Sequence, residues 1–256
     1  IAVIRLPRIS NFTDIAPLEA VDELDVSYVS NISQFGDPDV VIIPGSKNTI
    51  SDLLWMRQNG LEGKILRHAA KGGIVFGICG GYQMLGQSIS DPTGAEQKGT
   101  VRGMGLLPVT TVFEQEKRRT RVSGRFAKVG GALAEMSGVC YEGYEIHMGR
   151  TVLSKGTVPL VYMEEEGEQR QDGAQSDHVY GCYMHGIFDM SETVKTFLAA
   201  VLRKKGIDPS KITVRDRNAY KEEQYDRLAS IVRENLNMEA VYKIIEKGNE
   251  ASCSLL

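Results

Sequence analysis

The 256-residue sequence is short of several things, and each shortage closes a door. It has four cysteines, at 79, 140, 182 and 253, with no CxxC pair among them, which is no basis for a disulfide framework or a thiolate zinc site. No apolar run approaches the roughly 20 residues of a membrane-spanning helix. The net charge is only −3, which excludes the basic excess of a general nucleic-acid or membrane-surface binder. There is no internal repeat and no G-x-x-x-x-G-K-[ST], so nothing in this stretch cradles a nucleotide phosphate. No signal peptide precedes the first strand-like run, and the thiols are expected to be reduced, in a cytoplasm. The chain starts at Ile1 without an initiator methionine and is expected to be a piece of something longer.

What is present is a soluble α/β pattern. Ile1–Leu6, Asp25–Val29, Asp39–Ile43 and Ile74–Ile78 read as strands, and Ile15–Leu24, Ile50–Gln58 and Leu61–Lys71 as helices between them. That alternation predicts a doubly wound, mostly parallel sheet with its site at the carboxyl ends of the strands. From about 101 to 188 the runs shorten (Gly105–Val112, Thr120–Ala127, Gly143–His147, Leu160–Met163, Val179–Met184) and predict an antiparallel extension of the same fold, with a solvated hairpin tip at Glu164–Glu168. Ser191–Lys205 predicts an amphipathic helix closed by Gly206. The expected organisation is one domain over 1–205, a helical extension over 206–247, of one helix or two, and a disordered tail over 248–256.

One stretch organises the rest. Ile74–Ile78 runs into Cys79-Gly80-Gly81, and Tyr82-Gln83-Met84-Leu85 then resumes as helix. Strand, abrupt turn and helix with a cysteine on the turn make a nucleophile elbow, and Gly77 and Gly81 stand where only residues without Cβ fit. At a helix N-terminus Cys79 is favoured as thiolate. Of the four histidines, His185, at the end of a strand-like run, is the expected base, with His147 its rival; His68 is read as surface and His178 is given no role. An oxyanion hole needs two converging N–H groups. Gly80 offers one, and the turn Pro44-Gly45-Ser46 the other, from Gly45 or Ser46. His147, Cys182 and His185 lack metal-ligand spacing, so no metal is expected.

These residues together resemble the class I (triad) glutamine amidotransferases, whose elbow G-x-C-x-G-x-Q is matched by Gly77, Cys79, Gly81 and Gln83, and whose oxyanion turn is matched by Pro44-Gly45. A narrower resemblance, carried by Leu6–Asp14, Pro44–Thr49, Gly143–Gly149 and Tyr183–Phe188 in order, is to the glutaminase half of the cobyric acid synthase family, from residue 1 to about 205. The resemblance implies a flavodoxin-like fold and a cytoplasmic ligase component of cobalamin biosynthesis. Such a component hydrolyses glutamine through a cysteine thioester to feed ammonia to the amidation of adenosylcobyrinic acid a,c-diamide. Its implied partners are glutamine, an N-terminal ATP-dependent synthetase domain and, through that domain, the corrinoid acceptor; nucleic acid and membrane are not among them. ATP and Mg²⁺ would belong to the synthetase half, and no cofactor to this one. Gln83 and Glu145 are the expected substrate-binding residues. One departure stands out: Ile187 occupies the position, two after the histidine, where most class I enzymes carry glutamate. This branch resembles a Cys-His dyad, with Glu145 or Asp189 open as an orienter of the histidine. The alternatives are another class I amidotransferase (cobyrinic acid a,c-diamide synthase or a cell-wall lipid amidating subunit), a cysteine-elbow hydrolase indifferent to glutamine, and a non-catalytic binding module.

Overall fold

The Val- and Ile-rich runs pair as strands because β-branched side chains suit a pleated surface packed on both faces. In the computed structural model, which describes residues 1–165, 168–211, 213–214 and 217–253, the first half contains β1 (Ala2–Ile4), β2 (Ile9–Ser10), α1 (Ala16–Glu19), β3 (Ser27–Val29), β4 (Val40–Ile43) and β5 (Gly45–Ser46). These are followed by α2 (Thr49–Gln58), α3 (Leu61–Ala70), β6 (Ile74–Ile78) and α4 (Gly80–Leu85). The second half contains β7 (Ser88–Asp91), β8 (Gly99–Arg102), β9 (Val109–Phe126), β10 (Cys140–Leu153), β11 (Val161–Glu165), β12 (Glu168–Asp172), β13 (Ala174–Ser176), β14 (Val179–Cys182) and α5 (Ser191–Lys204).

The first sheet runs β13-β14-β6-β4-β1-β3. β3, β1, β4, β6 and β14 are parallel, and β13 is an antiparallel edge. All four residues of β4 are wholly buried, each worth about 1.5–3 kcal/mol of hydrophobic stabilisation. The second sheet runs β12-β11-β9-β7-β8 with β10 also on β9. It is antiparallel except where β7 meets β9. The sequence reads two short strands where β9 is one of 18 residues; its partner β10 carries it through, with a register shift between His147 and Gly149. The two central residues of the predicted hairpin tip, 166–167, lie outside the described residues, with Glu165 and Glu168 paired on either side.

The expected helix over Ile15–Leu24 is only the four-residue α1, preceded by a 3-10 turn at Phe12–Asp14. The polar run Asn11–Asp14 spends its backbone on that turn, and Asp22-Glu23 ends the apolar periodicity early. Helix α2 starts where Asn48 Oδ1 accepts from Ser51 N at 2.9 Å, an N-cap by side chain. The compact unit extends through Val214, beyond the boundary read near 205. Residues 215–256 form a second unit with two helices, α6 (Arg217–Asn235) and α7 (Met238–Cys253). They part at Leu236-Asn237, where Asn237 Oδ1 accepts from Ala240 N. Helix α7 continues to Cys253 through the start of the expected tail, which holds no proline to stop it; residues 254–256 lie outside the described residues. Among the described residues no helix is long and apolar enough to cross a membrane.

Two contacts fix how the layers meet. A Cβ on Gly81 would lie 1.9 Å from the Ile43 carbonyl oxygen, so α4 sits directly on the end of β4. On β10, Glu145 is wholly buried and holds Arg118 of β9 at 3.0 Å and Arg170 of β12 at 2.5 Å. Burial alone would raise the Glu145 carboxyl; His147 and Arg170 beside it outweigh that and hold it at about 2.

Gly81→Ala is expected to lower stability by about 3 kcal/mol or more, since backbone must move. Urea unfolding reads it, and a loss under roughly 0.5 kcal/mol would show that the approach relaxes freely. A carboxyl depressed in the folded state contributes stability above its unfolded value near 4.3 and loses it as pH falls toward about 2. Between pH 6 and pH 3 the parent should therefore lose about 2 kcal/mol more than Glu145→Gln. Parallel pH–stability curves for the two would remove the cluster's role.

Candidate active site

Strand β6 ends at Ile78 and the chain turns at Cys79, with φ 51° and ψ −108°. A non-glycine residue in that region costs about 1–3 kcal/mol and persists only where its surroundings impose it. Here they do. Cys79 N donates to Cys182 O of β14 at 2.9 Å, and Cys79 O accepts from Gln83 N at 3.1 Å, opening α4. Gly77 is constrained as well: a Cβ there would lie 2.7 Å from Tyr82 N. The thiol is 7% exposed and lies 3.8 Å from the Ile146 carbonyl of β10.

His185 follows β14, is wholly buried, and bridges by backbone to Tyr144 of β10. The Tyr144 ring stacks on it at 5.2 Å. Its Nδ1 is 2.7 Å from Asp14 Oδ2, and the Gly186 N–H donates to Asp14 Oδ1 at 2.8 Å. Its Nε2 is 2.8 Å from Asn11 Nδ2. Burial alone would push the imidazole down; hydrogen bonds to Asp14 and Cys79 outweigh it and raise it to about 10. The structure thus brings Cys79 and His185 together, as the sequence predicts.

The carboxylate bonded to His185 Nδ1 is Asp14, a residue the sequence did not offer for that place. Glu145 is engaged by Arg118, Arg170 and His147, and the Asp189 carboxylate lies beside Gly186, close to where a Cβ there would stand. Ile187 is core. Asp14 and Asn11 sit inside the Leu6–Asp14 motif but 171 and 174 residues from the histidine. Their only sequence signal is a polar turn after a first strand.

The residues expected to supply the oxyanion donors lie close together beside His185. A Cβ on Gly45 would lie 3.1 Å from His185 Cε1, and one on Gly80 would lie 2.9 Å from Ser46 N. Gly45 and Ser46 form β5, paired with Ser10 and Ile9 of β2. Buried Asp52 anchors both strands, accepting from Ser46 Oγ at 2.6 Å, Arg8 N at 3.2 Å and Arg8 Nη1 at 3.1 Å.

Gln83 spends both ends of its amide inside the protein. Nε2 donates to Tyr183 Oη at 3.0 Å, and Oε1 accepts from Thr49 Oγ1 at 3.2 Å. Tyr183 in turn meets Thr151 Oγ1 at 2.6 Å and stacks on His147 at 3.7 Å. His147 therefore packs on Tyr183, its Nδ1 2.8 Å from Gly149 O. Its Nε2 and Glu145 Oε1 face each other at 3.7 Å, both buried and without a hydrogen-bond partner. His68 is half-buried rather than surface, with Nε2 3.1 Å from Ile74 O; burial lowers its pKa. His178 lies by Gly72. Among the described residues no three His, Cys, Asp or Glu side chains gather as a metal set.

Comparison with known proteins gives the family and the fold. Residues 1–193 match the family model described as a CobB/CobQ-like glutamine amidotransferase domain. A cobyric acid synthase from Ruminiclostridium cellulolyticum is 52% identical over 254 residues, covering 98% of this chain and 49% of the relative. One from Lachnoclostridium phytofermentans is 44% identical over 258 residues, covering 97% and 50%. The chain thus spans about half the length of the curated relatives it matches. A chain in the structure of PurLQS from Thermotoga maritima aligns with TM-score 0.59 at 17% identity, over 80% of this chain and 97% of that one. A second structure, titled as a glutamine amidotransferase, aligns with TM-score 0.56 at 15% identity, over 81% and 100%. At those identities the structures speak for the fold alone, a class I glutamine amidotransferase α/β fold. The family match and the relatives together place the chain among the CobB/CobQ-like glutamine amidotransferases, to which it belongs.

Proposed function

We propose that this domain hydrolyses glutamine through a thioester on Cys79. As the glutaminase half of a cobyric acid synthase, it would hand the ammonia to an ATP-dependent synthetase half, which amidates side-chain carboxylates of adenosylcobyrinic acid a,c-diamide. The reading is carried by a cysteine on a strained elbow, close enough to His185 to raise that imidazole, with the histidine held by a buried carboxylate and the Gly45-Ser46 backbone alongside. ATP and Mg²⁺ belong to the synthetase half on this reading, since the chain has no phosphate loop. The corrinoid acceptor also belongs there. This half works in the cytoplasm with no cofactor of its own.

Cys79 sulfur attacks the side-chain amide carbon of glutamine, and the N–H groups of Gly80 and of Gly45 or Ser46 stabilise the tetrahedral oxyanion. His185 gives its Nε2 proton to the departing nitrogen, releasing ammonia and leaving the thioester. It then takes a proton from water as that water attacks, and the thioester opens to glutamate and the free sulfur. Gln83 shapes the pocket floor by pinning Tyr183 to α4. Glu145, with Oε1 unpartnered one residue from the Ile146 carbonyl that faces Cys79, takes the α-ammonium of glutamine.

Intact mass after treatment with a glutamine-mimicking diazo-ketone should show one adduct on the parent, mapped to Cys79, and none on Cys79→Ser. No adduct on a parent whose Cys79 still reacts with iodoacetamide, even with the synthetase half supplied, would overturn the glutamine reading in favour of an elbow hydrolase. Glu145→Gln should raise KM for glutamine about tenfold with kcat within about threefold, the pattern of lost ground-state binding. A kcat loss at constant KM would remove Glu145 from substrate binding.

A further inference from the structure

We propose that Asp14 is the positioning residue of His185, supplying from the turn after β1 the carboxylate that this chain lacks two residues after its histidine. The role rests on the acyl-transfer reading above, but its geometry stands apart from any ligand. Asp14 is 2% exposed, so its carboxylate must find partners inside the protein. They are His185 Nδ1 at 2.7 Å and the Gly186 N–H at 2.8 Å. One oxygen thus fixes which ring nitrogen carries a proton, and the other fixes the backbone immediately after the ring. With Nδ1–H committed to Asp14, Nε2 is left as the acting nitrogen.

Asn11 completes the arrangement. It holds αL geometry, φ 51° and ψ 43°, one step before the 3-10 turn that carries Asp14, and its Nδ2 lies 2.8 Å from Nε2. A neutral ring accepts from that Nδ2–H. Half a turn of the amide would offer Oδ1 instead to an Nε2 that carries a proton. The side chain can therefore follow the ring through both protonation states. The turn is also tied to the oxyanion strand, because Ser10, next to Asn11, pairs with Gly45. Histidine orientation and oxyanion donors thus hang on one short segment. A purely structural Asp14, serving only to cap Gly186, would make no demand on the ring's protonation.

That difference is the test. The charged, titratable and aromatic groups around the ring are Cys79, Asp14, Tyr144 and, past Gly186, Asp189. In the parent, ¹⁵N–¹H spectra should show His185 titrating far above an ordinary histidine. Asp14→Asn can still accept from Gly186 but no longer holds a charge against Nδ1, and should bring that midpoint down by about two units. Glutaminase kcat should fall about 10²–10⁴-fold with KM within about threefold, as expected when the base loses its tautomer. If Asp14→Asn fails to fold, Asp14→Ser is read in its place. A His185 midpoint that stays at the parent value in a folded variant would overturn the proposal, whatever happens to turnover. Failure of the diazo-ketone test with the midpoint shift intact would sink the glutamine reading and leave Asp14's hold on the histidine standing.

Discussion

The site depends first on how closely α4 approaches β4. At Gly81 the helix backbone comes near enough to the Ile43 carbonyl that no side chain fits between them. With the helix start pinned there, and Cys79 N bonded across to Cys182 O, the residue between strand and helix has no relaxed conformation left. Cys79 takes positive φ because its neighbours on both sides are already fixed. The elbow so formed stands at the end of β6 and presents the sulfur to the Ile146 carbonyl of β10. The five-strand parallel core is the source of the constraint, since a less deeply buried sheet would let the turn open.

The second sheet supplies the opposite wall. Strand β10 brings Tyr144, Glu145, Ile146 and His147 past Cys79 and His185, and it is held through Glu145 by Arg118 of β9 and Arg170 of β12. Removing a partner from such a buried charge is costly, because the remaining carboxylate keeps its desolvation penalty without compensation. The clamp therefore sets the position of β10 as well as the charge of Glu145. It leaves Oε1 and His147 Nε2 facing each other at 3.7 Å, too far apart for a hydrogen bond.

Much of this was legible in the chain. The buried run Val40–Ile43, the apolar run into Cys79-Gly80-Gly81 and the histidine after Tyr183-Met184 each carry a local signal, so the parallel sheet, the elbow and the histidine near it could be read directly. The turn Pro44-Gly45-Ser46 was legible for the same reason, a tight turn at a strand's carboxyl end. Asp14 and Asn11 were not. A carboxylate that acts on a ring 171 residues away leaves no periodicity, and the expected helix over Ile15–Leu24 drew the eye past the 3-10 turn that aims it. The reading of β9 as two strands failed on a similar ground, because a run of charged residues looks like a turn until a long partner such as β10 pairs on both sides of it.

A histidine that serves this chemistry must first give a proton and then take one. Held at about 10, the His185 imidazole is protonated at neutral pH, so it has a proton to give and no free site to take one. Both properties have identifiable sources. Burial opposes the charge, while the hydrogen bond to Asp14, the hydrogen bond to Cys79 and the charges of Asp14 and Cys79 sustain it. On the acyl-transfer reading the sulfur contribution is temporary: once Cys79 carries the acyl group it bears no charge and accepts no proton. The imidazole then keeps only Asp14 against the same burial, and its pKa falls. The ring thus becomes a base at the step where water must be activated, with no movement of the protein. Asp14 has the complementary task of remaining constant, holding Nδ1–H through both steps so that Nε2 is the nitrogen that changes.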